Sequence, residues 1–157
     1  MPSRGLANVG RAHSNCCHIE RCRERGCSIR LPDSNESICL SGSRYQARHT
    51  WTEPLCDCLV FWSSANGEIA GAVELKSGEV DASHVAQQLQ GGADVFAETA
   101  RGIRNVRFFP IIVYLRGIGS IEYKAIGVLS VRFRGRKYSV IPAKSGASLD
   151  ETIRSVS

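Results

Sequence analysis

The sequence predicts a mixed α/β domain in which a central β-sheet is flanked by α-helices, and three observations carry that prediction. Apolar runs of strand length stand at LCDCLVFW (55 to 62), EIAGAVELK (68 to 76) and IIVYL (111 to 115). Residues 81 to 100 switch to helical spacing, with Val85, Leu89, Ala93 and Phe96 on one face. Turn signals at Asn66-Gly67 and Gly135 punctuate the strands.

Taken in order, residues 1 to 50 are polar and rich in Arg and Cys and belong to the same domain. One short helix is expected there near 14 to 25 (SNCCHIERCRER), capped by Ser14 or Asn15 and ended by Gly26. The central unit spans 51 to 145. Its first two strands, 55 to 62 and 68 to 76, should pair antiparallel through the Asn66-Gly67 turn. A helix over 81 to 100 follows, with Asp81 or Ser83 as its N-cap. Gly91-Gly92 in its middle costs about 1 kcal/mol per glycine relative to Ala, which predicts a kink or close backbone packing. A buried strand at 111 to 115 starts after Pro110. Strands near 121 to 133 and 137 to 142 should meet at Gly135. The small, polar tail, 146 to 157, is expected to fray.

Composition bounds the function. At 157 residues the chain makes one domain, long enough to bury about two-thirds of its unfolded surface. An apolar fraction of 43% and a charged fraction of 22% suit a globular protein. No apolar run approaches the ~18 residues of a membrane span, and residues 1 to 15 lack the apolar core of a secretory signal. The expected location is the cytoplasm. A formal charge of +5 and a pI near 9.0 favour a polyanionic partner.

Seven cysteines, an odd number without an export signal, argue against a disulfide framework. Cys16, Cys17, His18, Cys22 and Cys27 lie close enough in sequence to suggest zinc, yet they form no second C-x2-4-C pair. Free cysteines are the expectation, with Cys56 and Cys58 pointing into a core.

The chemistry concentrates in the first two strands. Positions i and i+2 of a strand share a face, so Glu74 and Lys76 project together. Asp57 is a third isolated charge on the partner run. A buried acid costs several kcal/mol unless a cation answers it. Either an ion pair at a strand end or a divalent-metal site held by Asp57 and Glu74 explains the three charges. Such hard oxygen ligands suit Mg2+ or Mn2+, which lowers the pKa of bound water and neutralises phosphoryl charge. Lys76 would then orient or deprotonate the water, or stabilise the transition state.

Asp57, a spacer of sixteen residues, Glu74-Leu75-Lys76 on a hydrophobic strand and a glutamine-bearing helix resemble the PD-(D/E)xK phosphodiesterases, the restriction-endonuclease-like nucleases. The resemblance covers residues 55 to 115. It implies a restriction-endonuclease-like core and hydrolysis of phosphodiester bonds, in DNA rather than RNA, by an endonuclease or exonuclease. It makes Asp57 and Glu74 the metal-binding acids, the Leu75 backbone carbonyl a further ligand, and Lys76 the catalytic lysine. Gln88, in preference to Gln87, would be the helix glutamine, and Glu20 or Glu24 the acid that many members carry on an N-terminal helix. The family's proline before the first acid is replaced here by Cys56. Compact nucleases of microbial DNA-processing or defence systems, which the chain resembles, imply a homodimer or a larger ATPase or sensor partner.

Basic residues extend that picture. Arg132 and Arg134 alternate onto one strand face, and Arg136 and Lys137 continue the cluster, forming either a phosphate-contacting ridge or a charged edge that discourages pairing. Lys144 could also reach phosphate, and His84 stands near the helix start. Two rival readings are a non-catalytic protein of the same fold that binds nucleic acid or scaffolds a complex, and a zinc-stabilised interaction module centred on Cys16 to Cys27.

Overall fold

Two long apolar strands paired antiparallel form the centre of the structure, a computed structural model describing residues 17–32, 37–64 and 67–156. In chain order the elements are β1 (His18–Ile19), β2 (Cys22–Glu24), β3 (Cys27–Ile29), β4 (Ser37–Ser41), α1 (Gly42–His49), β5 (Cys58–Ser64), β6 (Gly67–Lys76), α2 (Ala82–Thr99), β7 (Arg107–Tyr114), α3 (Ser120–Gly127), β8 (Ser130–Phe133), β9 (Arg136–Ser139), β10 (Ile141–Lys144) and α4 (Leu149–Arg154). The main sheet has six strands in the order β1-β4-β5-β6-β7-β10. Its first three junctions are antiparallel and its last two parallel. It is therefore a mixed sheet, as expected from the sequence.

The β5–β6 hairpin runs in register from Cys58↔Val73 to Ser64↔Gly67, so the strands pair antiparallel as expected, but Gly67 already belongs to β6 and the connection is residues 65–66, one position before the Asn66-Gly67 pair expected at the turn. Those connecting residues, 65–66, lie outside the described residues. From β6 the chain crosses through α2 to β7, parallel to β6, the βαβ arrangement that places a helix on the sheet face. On that face Val85, Leu89 and Phe96 of α2 pack over Leu59, Phe61, Ala70 and Ala72. An aromatic chain continues from it: Phe61 meets Phe96 edge-on at 4.4 Å, and Phe108 stacks on Phe133 at 4.9 Å. Each such pair adds roughly 0.5–1.5 kcal/mol beyond its buried area. The opposite face is covered by the β2–β3 hairpin and α4, through Cys22, Cys27, Ile29, Leu149 and Ile153. Both faces of β6 are thus buried, which explains its nearly unbroken apolar run.

Several expectations need correction. Residues 17–25 form strands rather than the expected helix; its first residues, 14–16, lie outside the described ones. The physical cause is tertiary: the β2–β3 hairpin buries Cys22, Cys27 and Ile29 against the sheet. Cys22 and Cys58 form a disulfide, with their Cα atoms 6.0 Å apart, so the cysteines are not all free. A pairing 36 residues apart leaves no local spacing signal. Cys27, Cys39 and Cys56 are free and buried, Cys17 is buried, and among the described residues no group of three His, Cys, Asp or Glu side chains is placed to hold a metal.

Further along, Pro110 is the fourth residue of β7 rather than its lead-in. Pairing with β10 begins only at Ile111↔Ile141, so β10 asks no hydrogen bond of the proline. Residues 120–127 are helical, and the expected hairpin is confined to β8 and β9. Its turn residues Arg134 (φ 51°) and Gly135 (φ 78°) both have positive φ, the geometry of a primed turn. The C-terminal residues do not fray. Ser148 caps α4 by accepting the Glu151 N–H, and Leu149 and Ile153 are buried.

The disulfide ties the β2–β3 hairpin to the strand next to Asp57. Closing a loop of this length contributes about 4 kcal/mol in the chain-entropy account. Cys22→Ala is therefore expected to lower stability by roughly that amount, and a reductant should move the wild-type melting curve onto the variant's. Identical curves for the two oxidised proteins would rule the bond out.

Candidate functional site

Asp57 stands one residue before β5, where the β5–β6 ladder has just ended at Cys58↔Val73. Its side chain takes over the pairing. Asp57 Oδ2 accepts the Leu75 N–H at 2.8 Å, and the Asp57 N–H donates to Glu74 Oε1 at 3.1 Å. Glu74 Oε2 lies 3.0 Å from Lys76 Nζ. Glu74 is only 2% exposed and Lys76 22%, so the three charges predicted from sequence do meet, at one strand end with solvent on one side. Leu75 presents its N–H to Asp57, and in an extended strand its carbonyl projects toward the same side.

The chain segment that delivers Asp57 is held by glycines. A Cβ on Gly42, the first residue of α1, would collide with the Cys56 carbonyl, and one on Gly91 with the Pro54 carbonyl. A Cβ on Gly92 would stand 2.8 Å from both Ala72 Cβ and Cys56 Sγ. The Gly42 N–H donates to the Asp57 carbonyl at 2.8 Å. Residues 54–57 thus run pressed between the start of α1 and the middle of α2. Close packing, rather than a kink, accounts for Gly91-Gly92 in a helix that runs unbroken to Thr99.

Electrostatically the site is overloaded with acid. Burial and the neighbouring Glu74 charge push the Asp57 carboxyl up to about 6. Burial also raises Glu74, with Lys76 acting against the rise. Glu24, exposed at the end of β2, is raised by a hydrogen bond to Asp57 and by that group's charge. Of the two N-terminal acids, then, Glu24 reaches the site, from a hairpin and not from a helix. Glu20 is exposed and belongs to a different depression, lined with His18, Arg21 and Cys39.

Gln88 lies one turn of α2 before Gly92, whose Cβ position meets Ala72 of β6. Its Oε1 is buried and accepts no hydrogen bond among the described residues, a costly state for an amide. Gln87 and His84 are exposed. Asp81, the N-cap, accepts the Ser83 and His84 N–H groups.

The basic residues divide. Lys144 falls in the same row as the site, through the register Lys76↔Tyr114↔Lys144, about 10 Å from Lys76 across two strand spacings. The β8–β9 cluster sits elsewhere. Arg134 donates to the Ala100 carbonyl at 2.6 Å and lies over Phe133, tying the hairpin to the far end of α2. That point is about 18 Å along the helix axis from Gln88. Arg132 and Lys137 are exposed and directly opposed in the ladder. The side chain of Gln90, unremarked in the sequence, holds the Arg132 N–H and C=O together at 2.9 Å each. Glycine contacts and this amide bridge depend on partners 42 or more positions away or on other elements, so no local pattern marks them.

Comparison with protein-family models, curated proteins and solved structures finds no match.

Proposed function

We propose that the chain is a metal-dependent nuclease hydrolysing phosphodiester bonds in DNA, with a restriction-endonuclease-like core. The observation that carries the reading is the direct linkage of Asp57, Glu74, Leu75 and Lys76 where β5 begins and β6 ends. The donor set supports a hard divalent cation. Burial raises both carboxyls, and the Glu74 charge raises Asp57 further, a tension that Mg2+ or Mn2+ would relieve. The two carboxylates and the Leu75 carbonyl would hold the ion, with Glu24 hydrogen-bonded to Asp57 at the solvent side. When bound, such an ion supplies Lewis-acid stabilisation of phosphoryl charge and a more acidic water.

The remaining steps belong to the chain's own residues. Lys76, released from Glu74 Oε2, places its ammonium beside the incoming phosphate and stabilises charge developing on its oxygens. Glu74 remains oriented by the Asp57 N–H. Gln88 offers an amide to orient the substrate or a water, and Lys144 contacts the phosphate next along. One observation favours a non-catalytic relative instead: Lys76 and the Asp57 N–H already engage both Glu74 oxygens.

Plasmid and linear DNA incubated with the protein and Mg2+ or Mn2+ should be cut, and EDTA should stop cutting. Lys76→Met is expected to reduce the rate at least about 100-fold while circular dichroism and DNA binding persist. Full activity in that variant, or cutting that survives EDTA, would refute the assignment.

A further inference from the structure

We infer that a groove at the opposite end of β7 binds a small anionic molecule with an apolar body. The inference stands on residues separate from the proposed nuclease site. Because β10 joins β7 only from Ile111 onward, β7 has no sheet partner among the described residues on that side over residues 107–110. The space is a groove of about 760 Å³, within the roughly 300–1,000 Å³ of small-molecule sites. Phe109, Tyr138, Ile141 and Pro142 form much of its wall, and each is left half-buried. Such walls gain from covering by an apolar body.

Charge selects the rest of the ligand. Arg107 and Arg136 line the groove and no acidic residue does. Neither arginine has a carboxylate within ion-pair distance among the described residues. Arg107 Nε is buried without a hydrogen-bond partner there. A terminal nitrogen donates to the Ser64 hydroxyl at 3.5 Å, and the guanidinium sits 5.9 Å from the Phe109 ring centre. For two guanidinium-bearing side chains that line a groove without a carboxylate, a carboxylate, sulfonate or phosphate oxygen is the matching acceptor. Along the strands Arg107 lies opposite Ile69, five residues from the Glu74↔Ile112 row. That offset, about 16 Å, separates the groove from the acidic cluster.

The test uses 8-anilinonaphthalene-1-sulfonate as an apolar anionic probe and N-phenyl-1-naphthylamine as its uncharged counterpart. The folded protein, shown to melt cooperatively so that loose-core dye binding is excluded, should bind the sulfonate saturably at one site. The uncharged dye should bind at least about tenfold more weakly, the loss of one charge-assisted contact. Arg107→Met should weaken the sulfonate by a similar factor, and Arg136→Met, at an exposed position, gives the same reading if the first variant folds poorly. Displacement by dodecanoate would identify a fatty-carboxylate source, and displacement by AMP a nucleotide one. Equal binding of both dyes, sulfonate binding unchanged in both arginine variants, or displacement by neither competitor would overturn the inference.

Discussion

Asp57→Asn is expected to raise the melting temperature while abolishing DNA cleavage. The carboxyl titrates near 6 in the folded chain against an ordinary value of 3.8, because burial and the Glu74 charge disfavour its ionised form. Two units correspond to about 3 kcal/mol of penalty at neutral pH. The group is part-exposed, and solvent screening scales the gain to about 1–2 kcal/mol. Asn keeps an oxygen for the Leu75 N–H and gains an N–H₂ for Glu24, so no bond is left open. For a chain of this size the gain is roughly 2–8 °C.

The pH dependence follows from the direction of the shift. A carboxyl with a raised folded pKa makes the native state bind more protons than the unfolded chain between about pH 4 and 6. Stability therefore falls as pH rises through that window, and the penalty is fully present above it. Asp57→Asn should flatten this slope. Melting curves from pH 4 to 8, set beside a cleavage assay, check both halves. Stabilisation with loss of activity marks a position kept for chemistry, whereas a plain structural ion-pair network predicts destabilisation instead.

Gly91→Ala should be among the most damaging single-methyl changes in the molecule. Helix propensity alone argues the other way, since Ala in a helix interior is worth about 1 kcal/mol over Gly. The new methyl would, however, run into the Pro54 carbonyl, a backbone atom that cannot swing aside. Overpacking of this kind typically costs about 1–3 kcal/mol beyond the propensity gain, and moving residues 54–57 displaces Asp57. The expected outcome is a lower denaturant midpoint together with loss of cleavage. Gly127→Ala in α3, where an added Cβ meets nothing within 4 Å, is the control and should be neutral or slightly stabilising. Equal behaviour of the two variants would show that the clamp on residues 54–57 is unimportant.

What could be read without coordinates followed the periodicity. Apolar runs of strand length located β5 and β6, and a 3.6-residue period with an Asp cap located α2 almost to the residue. The same logic missed β4 and α1, whose short, polar sequence SGSRYQARH buries only Gly42 and Tyr45. It gave a strand across 121–127, where Ile121 and Tyr123 remain exposed on a short helix. It also read the C-terminus as loose, since two apolar residues four apart suffice to dock α4.

The candidate site divides along the same line. Strand alternation by itself determined that Glu74 and Lys76 share a side, because that follows from backbone geometry within one element. Desolvation energetics determined that Asp57 needed a partner. Only the tertiary structure decided that Asp57 reaches the Leu75 N–H, that Glu24 rather than Glu20 arrives beside it, that Cys22 bonds to Cys58, and that the Arg132 to Lys137 hairpin anchors the far end of α2. These are contacts between elements distant in the chain. Local periods encode which face of an element is buried, whereas the identity of what covers it depends on the register and approach of whole strands and helices.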